Sequence, residues 1–193
     1  MLEVCFGEIQ SGHLEQVGYD TYCNLLDEVV KEMKGIEIKK EEDIQIDLDV
    51  TSYIPDEYIS DSDQKIEIYQ NIALCKNEED IQNVIDEVID RFGNMPEQLE
   101  NLIDIARIKY LAKALHIEKI ASRKSAVLFT FNPNTVKEIV NIPKLVEQYG
   151  NKIKFSSGIK PMITLNIDMK NEKQILRSTT EFVKFLSNSG SKS

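Results

Sequence analysis

Few side chains of this chain are placed to do chemistry, and the first candidates are a serine and a histidine near the N-terminus. Ser11 and His13 stand two positions apart, and such a pair can act as a nucleophile with its general base. The sequence identifies neither a third member of a triad nor the donors of an oxyanion hole. It also contains no phosphate-binding glycine loop, no HExxH and no GxSxG motif. A hydrolase built on Ser11 and His13 is therefore an alternative hypothesis, and no catalytic residue is assigned.

Carboxylates are plentiful, but their spacing is not that of a metal site. They cluster at residues 41–43, 47–49, 61–63 and 78–80. Asp61 and Asp63 lack the glycine and the twelfth-position glutamate of a calcium-binding loop, and acidic clusters of this kind are typical of helix N-termini and solvated surfaces. The cysteines are far apart and have no histidine at ligand spacing: Cys5, Cys23 and Cys75. The sequence predicts neither a metal site nor a disulfide framework, as expected in a reducing cytoplasm.

A more informative arrangement lies towards the end of an acidic helix. Glu87, Asp90 and Arg91 have the spacing i, i+3 and i+4, which places their side chains on one helix surface. Their simplest role is an intrahelical ion pair between Glu87 and Arg91. The alternative is a charged docking patch for a basic partner. The residues alone leave both roles open.

The elements that would position these residues follow from apolar spacing and helix-boundary residues. Helices are predicted over residues 13–34, 62–74, 78–92 and 96–115, and a half-buried strand over residues 44–50. The expected boundary residues are the N-caps Asp61 and Asn77, the C-cap Gly93, Pro96 at the first helical position, and His116 as a C-terminal cap. The predicted inward residues of the last three helices are Ile66, Tyr69, Ile72 and Ala73; Ile81, Val84, Ile85, Val88 and Ile89; and Ile103, Ala106, Tyr110, Leu111 and Ala114.

The second half of the chain changes from helices to short strands. Strands are predicted over residues 117–122 and 126–131, and a hairpin pairs residues 152–155 with residues 162–167. Helical segments cover residues 132–149, broken at Pro143, and residues 171–186, before a polar tail. A helical N-terminal half followed by a small mixed sheet packed with helices predicts an α+β fold.

The composition limits the kinds of partner. Apolar residues make up 41% of the chain, enough for a core, and 33 acidic against 23 basic side chains give a net charge of −10. A field of this sign repels phosphate backbones, so direct nucleic-acid binding is not expected. A nucleic-acid-binding module, supported only by Arg123, Lys124 and the lysines of the tail, is an alternative hypothesis. The absence of a membrane-span pattern and of a signal-peptide pattern favours a cytoplasmic protein.

Three blocks of sequence resemble one protein family. Residues 7–22, GEIQSGHLEQVGYDTY, are similar to the end of the translocation-in-repair motif shared by transcription-repair coupling factors and RecG-type helicases. The segment YIPDEYI at residues 53–59, with IDRFG at residues 89–93 and Pro96, resembles the C-terminal domain of bacterial transcription-repair coupling factors. The stretch LIDIARIKYLAKALHIEK, residues 102–119, matches the helix that follows in that family. Beyond residue 131, only the order of the predicted elements supports the resemblance.

The resemblance implies a division of the chain. Residues 1–40 would be the end of the translocation-in-repair motif and a linker helix, with Gln10 and Gly12 as remnants of the motif. Residues 41–187 would be a C-terminal regulatory domain, and residues 188–193 a disordered tail.

The resemblance also implies a function. The full-length protein would be an ATP-dependent DNA translocase that displaces stalled RNA polymerase and recruits UvrA for nucleotide excision repair. ATP and Mg²⁺ would bind outside this chain, which would need no cofactor and have no enzymatic activity. The regulatory domain would dock on the UvrB-like N-terminal module of the same protein, with UvrA and RNA polymerase as indirect partners and no direct contact with nucleic acid or membrane. Glu87, Asp90 and Arg91 are the residues predicted to make the docking contact.

Overall fold

The computed structural model describes residues 44–167 and 171–189. The elements within these residues are, in chain order, β1 (Gln45–Asp47), α1 (Ser62–Leu74), α2 (Glu78–Phe92), α3 (Glu97–Ala114), β2 (Ile117–Arg123), β3 (Ala126–Phe131), α4 (Val136–Ile139), α5 (Ile142–Tyr149), β4 (Ile153–Ser156), β5 (Met162–Asn166) and α6 (Glu172–Ser189). The predicted helix over residues 13–34, and Gln10, Ser11, Gly12 and His13, lie outside the described residues.

Helices α1 and α2 begin and end where their capping residues predict. Asp61 accepts a hydrogen bond from the backbone N–H of Gln64 (2.9 Å), and Asn77 accepts one from that of Asp80 (2.9 Å). Gly93 ends α2 with a φ of +85°, a conformation that glycine adopts without strain. The predicted bounds of both helices are confirmed.

The strands form one mixed sheet in the order β1-β2-β3-β5-β4. β1 runs parallel to β2, and the other neighbouring pairs are antiparallel. Ile46, Ile120, Phe129 and Ile163 are in register across four strands, and all of them are buried. Helix α6 covers this face, since the ring of Phe182 lies 4.6 Å from that of Phe129. The α+β fold predicted from the sequence is confirmed.

Helix α3 is the centre of the structure. It contacts α1 and α2 on one side, and β2 and α6 on the other. Its buried residues therefore point in several directions: Leu99, Asn101, Leu102, Ile103, Ile105, Ala106, Ile108 and Ala112. The single inward stripe predicted from the sequence was wrong beyond Ile103 and Ala106, because Tyr110 and Leu111 are half-buried and Ala114 is exposed.

The inward face of α1 also differs from its prediction. Ile68 is buried with Tyr69 and Ile72, whereas Ile66 is half-buried and Ala73 is exposed. The spacing of apolar residues predicted the wrong face because a lysine, Lys65, is part of the buried face. The stem of Lys65 is buried while its ammonium pairs with the exposed carboxylate of Asp56.

Several element boundaries differ from their predictions, by one residue at the ends of the later strands, and the helical segment predicted over residues 132–149 is interrupted before Ile142 and not at Pro143. Strand β1 is shorter than the alternating residues 44–50, because Ser122 Oγ accepts a hydrogen bond from the backbone N–H of Asp49 (2.8 Å) and the chain leaves the sheet there. Pro96 occupies the N-cap of α3, one position before the predicted one. Helix α6 runs to Ser189, past the predicted end at residue 186, and Ser189 is buried.

A buried amide joins three parts of the chain. Asn101 Nδ2 on α3 donates to the backbone carbonyl of Thr51 (2.9 Å) and to Oε2 of Glu172 on α6 (3.1 Å). The hydroxyl of Thr51 donates to Oε1 of the same glutamate (2.8 Å). The segment that follows β1 is therefore fixed to both central helices, because a buried amide left without partners would be costly.

The contact between α6 and the sheet should dominate stability. Phe182 is fully buried between Phe129 and Tyr149, with ring centroids 4.6 and 5.2 Å away. We expect Phe182→Ala to lower the free energy of unfolding by about 3–5 kcal/mol, because it leaves a cavity in the core. Ile159→Ala, at a 94% exposed side chain, should stay within about 0.5 kcal/mol. Urea denaturation followed by circular dichroism measures both, and equal losses would contradict this packing.

Candidate protein-docking surface

The predicted docking residues lie together on one flank of α2. The helix buries Ile81, Val84 and Val88 against the rest of the domain. Glu87 and Arg91 are neighbours of that buried stripe and lie next to α1, whereas Asp90 lies farther out. The charged flank formed by Glu87, Asp90 and Arg91 is called the α2 surface below.

Arg91 is the hub of the α2 surface. Its guanidinium donates to Oε1 of Glu87 (2.5 Å), one helical turn earlier, and to Oε2 of Glu67 on α1 (3.1 Å). It also lies over the ring of Phe92, 5.0 Å from the centroid. The hydrogen bonds to Glu87 and Glu67 hold the pKa of Arg91 above its usual value. The intrahelical ion pair, which was the simpler reading of the sequence, is thus present and extends to a second helix.

Glu87 and Asp90 differ in what they contact. Glu87 also accepts a hydrogen bond from Nδ2 of Asn71 on α1 (3.3 Å) and lines an open depression of about 430 Å³ between α1 and α2. Asp90 is exposed and makes no hydrogen bond or ion pair with the other described residues. Arg91 and Glu87 are therefore positioned by contacts within the domain. The Asp90 carboxylate makes no such contact within residues 44–167 and 171–189.

The YIPDEYI segment supports the end of α2. The hydroxyl of Tyr58 donates to the carbonyl of Gly93 (2.7 Å), and its ring packs against that of Phe92, with centroids 6.0 Å apart. Ile54 and Ile59 are buried, and Pro55 starts the turn, because its carbonyl accepts hydrogen bonds from the backbone N–H groups of Tyr58 and Ile59 (both 3.1 Å). Burial raises the pKa of Tyr58, so its hydroxyl stays protonated and able to donate. The segment fixes where the helix ends and therefore where Arg91 lies.

An ion-pair network holds the other end of α2 against α3. Nε of Arg107 donates to both carboxylate oxygens of Glu78 (2.9 and 3.0 Å), and another nitrogen of the same guanidinium donates to Asp104 (2.5 Å). The hydroxyl of Tyr110 donates to Glu78 (2.8 Å). Burial alone would raise the pKa of Glu78, but the hydrogen bonds from Arg107 and Tyr110 outweigh it and lower that pKa. Burial, and secondarily Glu78, raises the pKa of Tyr110 to about 12.

The other candidate residues do not form a second site within the described ranges. Arg123 donates to Asp47 (3.4 Å), and Lys124 occupies the tight turn between β2 and β3 with a φ of +53°. His116 ends α3 at a φ of +49°, as a helix-terminating residue does. Burial raises the pKa of the Cys75 thiol to about 11, which keeps it out of the reactive thiolate form.

The described ranges contain neither a metal-binding cluster nor a membrane-spanning helix. No group of three or more His, Cys, Asp or Glu side chains among residues 44–167 and 171–189 could hold a metal ion. None of the helices in those ranges combines the length and apolar character needed to cross a bilayer. The arrangement can thus offer charged and apolar groups to a partner, and we derive no catalytic step from it.

Comparison with known proteins assigns the chain to a family. The TRCF domain model matches residues 48–142. The chain is 36% identical over 150 residues to the transcription-repair-coupling factor of Bacillus subtilis, covering 76% of this chain and 13% of that protein. It is 35% identical over 167 residues to the one of Rickettsia typhi, covering 86% and 15% respectively. This chain belongs to the TRCF domain family.

The fold of this TRCF domain agrees with a solved structure. A crystal structure described as the C-terminal domain of transcription-repair coupling factor superposes with a TM-score of 0.69 at 23% identity, covering 76% of this chain and 92% of that one. That likeness shows the fold. The chain spans about one seventh of the length of the curated relatives it matches.

Sequence reasoning found the TRCF resemblance and the α2 surface, but it missed the partners of that surface. Glu67 and Asn71 on α1 both reach the surface, and neither carried a signal in the sequence. Their relevance depends on how α1 is placed beside α2, which is a tertiary relation that helical periodicity does not encode.

The network around Glu78 makes a pH-dependent prediction. Because the folded-state pKa of Glu78 is lowered, its contribution to stability is fully present above its ordinary value of 4.5 and is lost as the pH falls through the folded-state pKa. We therefore expect Glu78→Gln to destabilise the domain at pH 7, with a difference that shrinks between about pH 5 and pH 3. Urea midpoints measured across that range test this. A difference that stayed constant down to pH 3 would show that the carboxylate charge is not what matters.

Proposed function

We propose that this chain is the C-terminal regulatory domain of a transcription-repair coupling factor and that it acts by docking on the UvrB-like N-terminal module of the same protein. Docking would cover the surface through which that module binds UvrA. The full-length protein would be a cytoplasmic, ATP- and Mg²⁺-dependent DNA translocase that displaces stalled RNA polymerase. Membership of the TRCF domain family supports the first part of this proposal.

The observation that supports the docking role is that Asp90 is exposed, pairs with no described residue, and lies beside two positioned charges. Glu87 and Arg91 are held in place by Asn71 and Glu67 before any partner arrives. Preorganised charges lose less conformational entropy on binding than free side chains do. Asp90 can therefore meet a basic group of the partner, with Glu87 beside it and Arg91 available to an acidic group.

The charge distribution fits a contact that can be released. The α2 surface is open to solvent, so its ion pairs with a partner would be weakened by salt and by competing ligands. A regulatory contact needs this moderate strength, because the protein must undock when it engages its other partners. A net charge of −10 would also steer the domain towards a basic surface.

Charge reversal of Asp90 tests the docking role most cleanly, since no described residue depends on that side chain. We expect Asp90→Lys to weaken binding of this chain to the isolated N-terminal module at least about ten-fold, equivalent to about 1.4 kcal/mol. Glu147→Lys, an exposed carboxylate on α5, makes the same change in charge elsewhere and should have little effect. Fluorescence anisotropy at low and at physiological salt measures both. An equal loss for the two variants would reduce the effect to net charge, and no loss for Asp90→Lys would refute the docking role.

The regulatory consequence is tested in the full-length protein. Reversing the charges of Glu87, Asp90 and Arg91 together should release the domain and increase the amount of UvrA bound, because the masked surface becomes accessible. A pull-down with purified UvrA, alongside measurement of ATPase activity, gives the result. If UvrA binding and ATPase activity were both unchanged although the triple variant no longer bound the isolated N-terminal module, docking would stand and masking would fail.

A further inference from the structure

A second surface lies at the other end of the sheet, where β4 has no neighbour on its outer side among residues 44–167 and 171–189. Within the described part of the chain β4 pairs only with β5, so its outer edge presents backbone N–H and C=O groups that no described strand pairs with. No residue of this edge belongs to α1 or α2, so it is separate from the α2 surface.

Large exposed apolar side chains gather around this edge. Phe155 on β4 is 42% exposed, and Ile159 in the following loop is 94% exposed. Ile142 and Val146 are exposed one turn apart on α5, the helix that contacts β4. Helix α5 is held in place by its other side, since Leu145 is fully buried and the ring of Tyr149 packs edge-on against those of Phe182 and Phe185. A free strand edge beside a fixed helix with exposed apolar residues is the arrangement that binds an added strand.

The two sides of β4 differ in chemistry. Phe155 is in register with buried Ile163, so it lies on the helix-covered face of the sheet. Lys154 is the alternate residue and lies on the opposite face, exposed. Lys152 precedes the strand and is also exposed, and neither lysine forms an ion pair with the described residues. An added strand would thus meet apolar groups on one side and positive charge on the other.

The two lysines also make a second copy of this chain an unfavourable partner for the β4 edge. Pairing β4 with β4 of another copy would bring the lysines of both strands together, and lysine on an edge strand is a recognised protection against such self-pairing. The same charges attract a strand of opposite sign.

We propose that the outer edge of β4 binds an extended acidic segment of a partner protein, in which acidic and apolar residues alternate. The segment pairs its backbone with Ile153–Ser156. Its apolar side chains pack beside Phe155, and its carboxylates lie beside Lys154. The alternation follows from the period of two in a strand, which sends neighbouring side chains to opposite faces.

A labelled peptide in which glutamate and valine alternate over about nine residues tests this surface, since that length matches a protein strand. We expect it to bind the intact chain, and both Phe155→Ala and Lys154→Glu should weaken binding at least about ten-fold. Lys154→Glu changes an exposed side chain, so it tests the surface even if Phe155→Ala disturbs the fold. Leu74→Ala alters an exposed leucine at the end of α1 and is the matched control that should bind normally.

Two further probes separate strand pairing from simple attraction. The same peptide with N-methyl groups on alternate residues cannot donate to the edge and should not bind, and a peptide with lysine in place of glutamate should not bind either. Hydrogen exchange should slow at the β4 amides that do not donate to β5. Binding that survives N-methylation or the change to lysine, absence of binding at about 1 mM peptide, or protection of the same amides by an oligonucleotide instead would each overturn the proposal. None of these results bears on the α2 surface, so the two proposals fail independently.

Discussion

The burial of α3 on several sides is the constraint on which the other elements depend. Leu99, Leu102 and Ile108 have no exposed surface, and the buried positions of the helix lie on more than one of its sides. One side receives α1 and α2, and the other receives the sheet and α6. A helix in this position removes so much apolar area from water that the surrounding layers are stable only when they close around it. The helix that carries the α2 surface and the strand that carries the β4 edge both contribute buried residues to one core.

Polar contacts then determine how α2 sits on that core. Arg107 joins the start of α2 to α3 through Glu78, and Tyr58 holds its end through the carbonyl of Gly93. Near the end of α2, Arg91 donates hydrogen bonds to Glu87 and to Glu67. These pairs are exposed and contribute little to stability. Their effect is to order the charges, which suits a surface whose partner must be bound and then released.

Much of the fold could be predicted from the sequence, because its signals were local. Asp61, Asn77 and Gly93 specified the ends of α1 and α2, since caps act within one turn of the helix. The inward faces were harder to predict. Ile89 was expected to be buried and is 44% exposed, and Lys65 was not expected to be buried at all. Which side of a helix is buried depends on where its neighbours pack, and that relation is absent from the spacing of a single helix.

The α2 surface was predictable as a cluster of three charges but not as a working arrangement. The spacing of Glu87, Asp90 and Arg91 placed them on one helix surface. That Glu87 and Arg91 pair with α1, while Asp90 pairs with no described residue, depends on the position of α1. The most direct test of the account is hydrogen exchange of this chain with and without the isolated N-terminal module. If the α2 surface docks, exchange should slow at backbone amides around Asp90 and in the facing turn of α1, with β4 unaffected. Protection that spared α2 and appeared elsewhere in the domain would contradict it.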